Sequence, residues 1–157
     1  MIVYRIFENI PNRTTLGYGR VAGRWNEAVY PAIYTSTVPS LCMTELYSIH
    51  GSRIGSNFFI LAVLDIKIEE QDLPYVDIQS LPEHWNSLPH SNATQKFGNK
   101  WLRSKDSLFL KIPSARLPKE IYDVEYNILI NPQHPDFGAK VKAVDKFRFK
   151  FNLNHYD

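Results

Sequence analysis

With 157 residues, 44% of them hydrophobic and 22% charged, the chain has the make-up of one folded domain, which excludes disorder along its whole length. A formal net charge of +2 is too small to argue for nucleic-acid binding. A single cysteine, Cys42, rules out an internal disulfide and fits a reducing compartment, and no apolar run is long enough to span a bilayer.

In chain order, "MIVYRIF" (1–7) alternates and is β-branched, which predicts a strand rather than a secretory signal. Residues 8–23, with Pro, Asn and three glycines, read as an irregular loop. "AIYTS" (32–36) is a short strand, followed by a helix over 37–50 with Thr37 as its expected cap and Pro39 in its first turn. "NFFILAVLDIKI" (57–68) is the strongest strand, and its unbroken apolar centre predicts burial on both faces. Residues 69–91 carry three prolines and read as connection. Ala93, Phe97 and Trp101 form a helical stripe over 92–103, which Gly98 weakens. Strands are expected over 107–115 and 124–132 and, by strict alternation, over 146–153. In that last strand Phe147, Phe149, Phe151 and Leu153 share one face, and Lys146, Arg148 and Lys150 the other. The order of elements predicts a single α+β domain over 1–157 with a mostly antiparallel sheet.

Little standard chemistry is written in the motifs. The five histidines are scattered, and one cysteine cannot build a thiolate site, so no metal is expected. "GYGRVAG" (17–23) lacks the spacing of a dinucleotide or phosphate loop. The Lys146–Arg148–Lys150 row reads as the solvated side of an edge strand, where lysines discourage further pairing. Glu45 is different. On a helical wheel it falls between Leu41 and Ile49, so its carboxylate points into the apolar sector. A buried charge needs a partner, and Arg24, in the loop motif "GRWN", is the expected one. From the wheel alone, a structural Arg–Glu pair and a carboxylate held in a cleft for chemistry remain equally open.

Several segments together carry a resemblance: "GRWN" (23–26), "IYTS" (33–36), "TEL" (44–46), "LPEHW" (81–85), "GNKWL" (98–102), "IPSA" (112–115) and "NILINPQHPDF" (127–137). In this order they resemble the RES-domain family, toxins of bacterial RES–Xre toxin–antitoxin pairs. The chain departs from the family pattern at Ala22, where a second glycine is common, and in its closing "FNLNHYD", which touches loop shape and chain end only. The resemblance implies a fold similar to the ADP-ribosyltransferases, with NAD+ as substrate rather than cofactor. It implies NAD+ depletion by hydrolysis or phosphorolysis, or transfer of ADP-ribose to a protein. It also implies a cytoplasmic protein blocked by an Xre-type helix-turn-helix antitoxin, with toxin dimers in a larger complex and DNA reached only through the antitoxin.

On this sequence the resemblance assigns Arg24, Tyr34, Glu45 and Ser114 to catalysis, with Arg5 the competing arginine. Glu45 would stabilise the positive charge that builds on ribose as the glycosidic bond breaks. Arg24 would grip the diphosphate or ribose, Tyr34 would stack on nicotinamide, and Ser114 would hydrogen-bond Glu45 or a ribose hydroxyl. Asn127 and Asn131 read as substrate-site supports or packing residues, and Trp25 as either a wall of the pocket or a core residue. Met43 stands where transferases often carry a second glutamate, which favours a small-molecule acceptor.

Overall fold

β-Branched and aromatic runs become strands at Ile2–Glu8 (β1), Ile33–Ser36 (β2), Phe58–Ile66 (β3), Phe109–Ile112 (β4), Asn127–Ile130 (β5) and Val141–Lys150 (β6). Helices form at Pro39–His50 (α1), Asn92–Ser104 (α2) and Phe137–Lys140 (α3). The computed structural model describes residues 1–152. The strands make one six-stranded sheet in the order β4-β5-β2-β1-β3-β6, with every neighbouring pair antiparallel. β5 thus lies between β2 and β4, although about ninety residues of chain separate it from β2.

Register fixes which side chains share a face, because alternate residues point to opposite sides. Tyr4 lies opposite Ser36, Ser36 opposite Asn127, and Asn127 opposite Ile112. On that face Leu110, Ile112 and Leu129 pack with Trp25 and Val76 beneath Phe97 and Trp101 of α2. α1 covers the same face farther along, where the Cys42 thiol donates to the Tyr4 carbonyl at 3.2 Å. The opposite face carries the main core, with Val3, Phe7, Ile33, Ala62, Leu64, Ile66, Ile128 and Ile130 under the loop residues Leu73, Tyr122 and Tyr126. One face is therefore closed by loops. The other is covered by α1 and α2.

Three expectations need correction. The α1 cap is Val38, with no side-chain bond; Thr37 instead donates its hydroxyl to the Tyr126 carbonyl at 3.3 Å, tying the helix start to the strand ahead of it in the sheet. β3 is not buried equally on both faces: Ala62, Leu64 and Ile66 are buried, whereas Leu61 and Val63 are only partly covered. The last strand begins at Val141 rather than 146 and follows α3 directly; its first half was hidden because an edge strand with exposed side chains on both faces shows no apolar alternation. Of its aromatic row, Phe149 and Phe151 pack on Phe59, Phe147 is exposed, and Leu153 lies outside the described residues.

Cys42 is buried, and burial pushes its thiol up to about 11. Because the folded value lies above the ordinary one, the thiol stays protonated in the folded protein through the mildly alkaline range, where an unfolded cysteine ionises. We expect a disulfide reagent at pH 8 to label the native protein at least tenfold more slowly than the urea-unfolded chain, thiolate being the reactive form. Equal rates would show that this part of α1 opens readily.

Candidate active site

The site is built around the segment 23–26. Asn26, almost fully buried, donates through its amide to the carbonyls of Val21, Glu27 and Tyr30 and so folds the loop into a tight turn. α2 grips the same turn: Gln95 donates to the Gly23 carbonyl at 3.0 Å, and Asn99 accepts from the Glu27 amide and donates to its carboxylate. Gly98 explains its place in the helix here, because a β-carbon at this position would run into the Trp25 carbonyl. Arg24 faces away from the turn and donates to the carbonyls of Trp85 at 2.6 Å and Ser87 at 3.0 Å, anchoring the 85–87 loop.

Tyr34, on β2, meets this turn from below. Its hydroxyl donates to Asn26 Oδ1 at 2.7 Å and accepts from the Trp25 amide at 3.0 Å. A side chain at 23 would collide with that hydroxyl, which accounts for Gly23. Burial of the oxygen pushes the phenol well above its ordinary range, partly offset by the Trp25 amide and by Arg24. Part of the ring remains open to solvent, with the residue 36% exposed, so a ring-bearing ligand has a face to stack on. We expect Tyr34→Phe to lower stability by about 1–3 kcal/mol, since it strands the buried Asn26 oxygen and the Trp25 amide. The urea midpoint would fall with an unchanged slope; an unshifted midpoint would mean the turn holds without the hydroxyl.

Glu45 enters from α1. Its Oε1 accepts from Ser114 Oγ at 2.6 Å and from Asn127 Nδ2 at 2.8 Å, while Asn127 Oδ1 accepts from Ser36 Oγ at 2.5 Å. Ser114 Oγ also accepts the Arg116 amide at 3.0 Å, which fixes the serine itself. Two donors, one from the stretch after β4 and one from β5, thus converge on one carboxylate oxygen of α1, and Ser36 of β2 holds the second of them. The other, Oε2, makes no hydrogen bond among the described residues and has the Arg116 guanidinium as its ion-pair partner, with Nε at 3.7 Å. That corrects two expectations. Arg116, not Arg24, is the ion-pair partner of Glu45. The apolar sector drawn on the wheel is also narrower than expected, because Ile49 is exposed and only Leu41 and Cys42 of α1 are fully buried. Arg24 still belongs to the same electrostatic site. Its guanidinium is lowered by burial and then by Arg116, against the raising influence of Glu45 and Tyr34.

The structure separates the remaining candidates. Asn127 is in the site, as the second donor to Glu45. Trp25 is in the core, 3% exposed, with its ring stacked on Trp85 and edge-on to Phe97; its backbone amide, not its ring, serves the site. Asn131 lies just past β5 and donates to the Leu102 carbonyl at 2.9 Å, closing the end of α2 instead of lining the pocket. Arg5 follows Tyr4 in β1 and so points to the opposite sheet face. There it donates to the Thr15 carbonyl at 2.8 Å and lies over the Phe7 ring. Burial, with Arg13 nearby, lowers it to about 10, and it remains cationic at neutral pH. Arg116, Ser36 and Asn26 were not singled out from sequence. Asn26 and Ser36 lie inside motifs that were, and Arg116 follows one, but the partners of Ser36 and Arg116 lie far off in the sequence. Among the described residues, no three or more His, Cys, Asp or Glu side chains gather as a metal site would require.

Comparison with known proteins places the chain in a family. The RES domain family model matches residues 2–152. Toxin Res of Yersinia enterocolitica is 34% identical over 156 residues, spanning 97% of each chain. The Prs ADP-ribosylating toxin of Sphingobium sp. is 27% identical over 132 residues, covering 81% of this chain and 77% of its own. Among solved structures, the M. tuberculosis MbcT–MbcA toxin–antitoxin complex contains a chain of the same fold. It superposes with a TM-score of 0.71 at 17% identity over 95% of this chain and 84% of that one. With a family model spanning nearly its whole length and a relative of equal extent, this chain belongs to the RES domain family.

Proposed function

We propose that the chain is the toxin of a toxin–antitoxin pair and that it breaks the nicotinamide–ribose bond of NAD+, with water or phosphate as acceptor. The observation that carries this reading is the asymmetric setting of Glu45. One oxygen is saturated by two neutral donors, and the other makes no hydrogen bond among the described residues, with Arg116 Nε at 3.7 Å and with Arg24 and the Tyr34 hydroxyl within electrostatic reach of the carboxylate. When the bond breaks, nicotinamide leaves with the electron pair as a neutral molecule, and C1′ of the ribose takes up positive charge. A carboxylate already fixed beside that carbon stabilises the charge with no reorganisation at the moment of reaction. Ser114 and Asn127 supply the fixing, since their bonds hold Glu45 without adding charge of their own. Water or phosphate then adds to C1′. In hydrolysis the proton released by the attacking water passes to Glu45 or to solvent. Tyr34 offers a ring face for nicotinamide, and the two arginines suit the anionic part of the substrate.

The partner follows from the same reading. An Xre-type antitoxin would block the site around Glu45, with DNA reached only through it and toxin dimers joined in the assembly. The fold shared with a solved toxin–antitoxin complex supports the antitoxin. A second reaction, transfer of ADP-ribose to a protein side chain, is favoured by the relative named for ADP-ribosylation of Prs. Both reactions share the first step and differ in acceptor. The deciding experiment follows NAD+ loss by the purified, partner-free chain with and without phosphate. Rapid loss supports depletion, and acceleration by phosphate identifies phosphorolysis. No loss, with a cell protein gaining the mass of ADP-ribose, moves the assignment to transfer. Neither outcome would leave a non-catalytic binder.

A further inference from the structure

We infer that Arg116 is the arginine that binds the diphosphate of the substrate, and that Arg24 is a scaffold residue holding the 85–87 loop. The inference rests on the NAD+ reading and names the group that anchors its anionic part. The two arginines share the site but not their state. Arg24 has committed both terminal nitrogens to backbone carbonyls, at 2.6 Å and 3.0 Å, so redirecting them to a ligand would release the loop. Arg116 has made no such commitment. Its side chain is 15% exposed, and its Nε is buried with no hydrogen-bond partner among the described residues.

A buried guanidinium donor without an acceptor is costly, and such groups in folded proteins point to a missing partner. Glu45 is not that partner. At 3.7 Å the Nε–Oε2 approach lies outside hydrogen-bond range, and Glu45 is already oriented through Oε1 by Ser114 and Asn127. A residue needed only to hold the carboxylate would donate to it. Arg116 stands beside it, on the short stretch after β4 where its own amide donates to Ser114 Oγ. That places a planar fork of donors next to the carboxylate proposed to face C1′. In a dinucleotide the diphosphate hangs from C5′ of the same ribose, a few bonds away, and its oxygens accept fork donors in pairs. Binding would draw the guanidinium toward phosphate and release Oε2 from its ion-pair partner, so anchoring the substrate and freeing the carboxylate would occur together.

The test is calorimetric titration of ADP-ribose and of inorganic pyrophosphate into the intact chain, Arg116→Gln and Arg116→Lys, beside NAD+ kinetics of the same proteins. Arg116→Gln should weaken both ligands about tenfold to a hundredfold, the loss expected when charge-assisted bonds are removed. Arg116→Lys, which keeps the charge but not the fork, should fall between. In turnover KM should rise while kcat changes by less than about threefold, the pattern of lost binding common to ground and transition states. Unchanged ADP-ribose affinity in Arg116→Gln would overturn the inference. So would a fall in kcat at constant KM, which would mean that Arg116 acts through Glu45. If the unmodified chain binds neither ligand and leaves NAD+ intact, the NAD+ reading itself fails. If it binds ADP-ribose without consuming NAD+, the reaction assignment fails and the Arg116 assignment stands.

Discussion

Glu45→Gln will leave a folded protein that consumes NAD+ about a hundredfold to a thousandfold more slowly than the parent. The amide is nearly isosteric, and its carbonyl oxygen can still accept from Ser114 and Asn127, so the network holding α1 to β5 persists. What disappears is the negative charge, and the amide nitrogen, a donor, now faces the Arg116 guanidinium. Removing one pre-aligned electrostatic group from an enzyme site costs roughly two to three orders of magnitude in rate. The check is NAD+ consumption at matched protein concentration, with thermal melts showing the variant within a few degrees of the parent. Full activity in a well-folded Glu45→Gln protein would remove the proposed mechanism.

Gly98→Ala will be the most destabilising small substitution in the chain's helices. Alanine is the better helix former, and on propensity alone the change should gain about 1 kcal/mol. Packing reverses the sign, because the added carbon would collide with the Trp25 carbonyl, a backbone atom that cannot swing aside as a side-chain tip would. We expect a net loss of about 3 kcal/mol and a Tm lower by roughly 10 °C, as overpacked cores in domains of this size show. The turn at 23–26 would shift with it, pulling the Trp25 amide and Asn26 from Tyr34 and reducing activity as well. Gly138→Ala, where a β-carbon meets nothing, is the control and should change Tm by no more than about 2 °C. If both alanines behave alike, α2 and the turn are less closely packed than described.

Gly98 also shows what the sequence could and could not convey. Read locally, a glycine inside a helical stripe weakens the helix; its reason lies 73 residues away, in a backbone atom no periodicity registers. The same limit explains the rest. β1 and α2 were legible because burial on one side leaves a period in the apolar residues, β3 because its apolar centre is unbroken, and α1 because a proline marks its first turn. The first half of β6 was not, because its side chains are exposed while its backbone pairs with β3. Glu45 could be identified as a charge in want of a partner, since that follows from one helix. Which arginine stands nearest to it depends on where β4 ends and how the next residues turn. Thr37 had the chemistry of a cap, yet β-sheet geometry delivered the Tyr126 carbonyl to it first.

The place of β5 in the sheet also bears on how the molecule is made. Ser36 and Glu45 leave the ribosome early, Ser114 and Asn127 late, and the strand that brings Asn127 must slot between two strands already synthesised. A chain arrested before β5 has its carboxylate but not the second donor that steadies it, nor the strand that fastens β4 to β2. Completion of the Glu45 network is therefore among the last events in making the chain, because Asn127 joins it only after β5 has emerged and paired with β2 and β4.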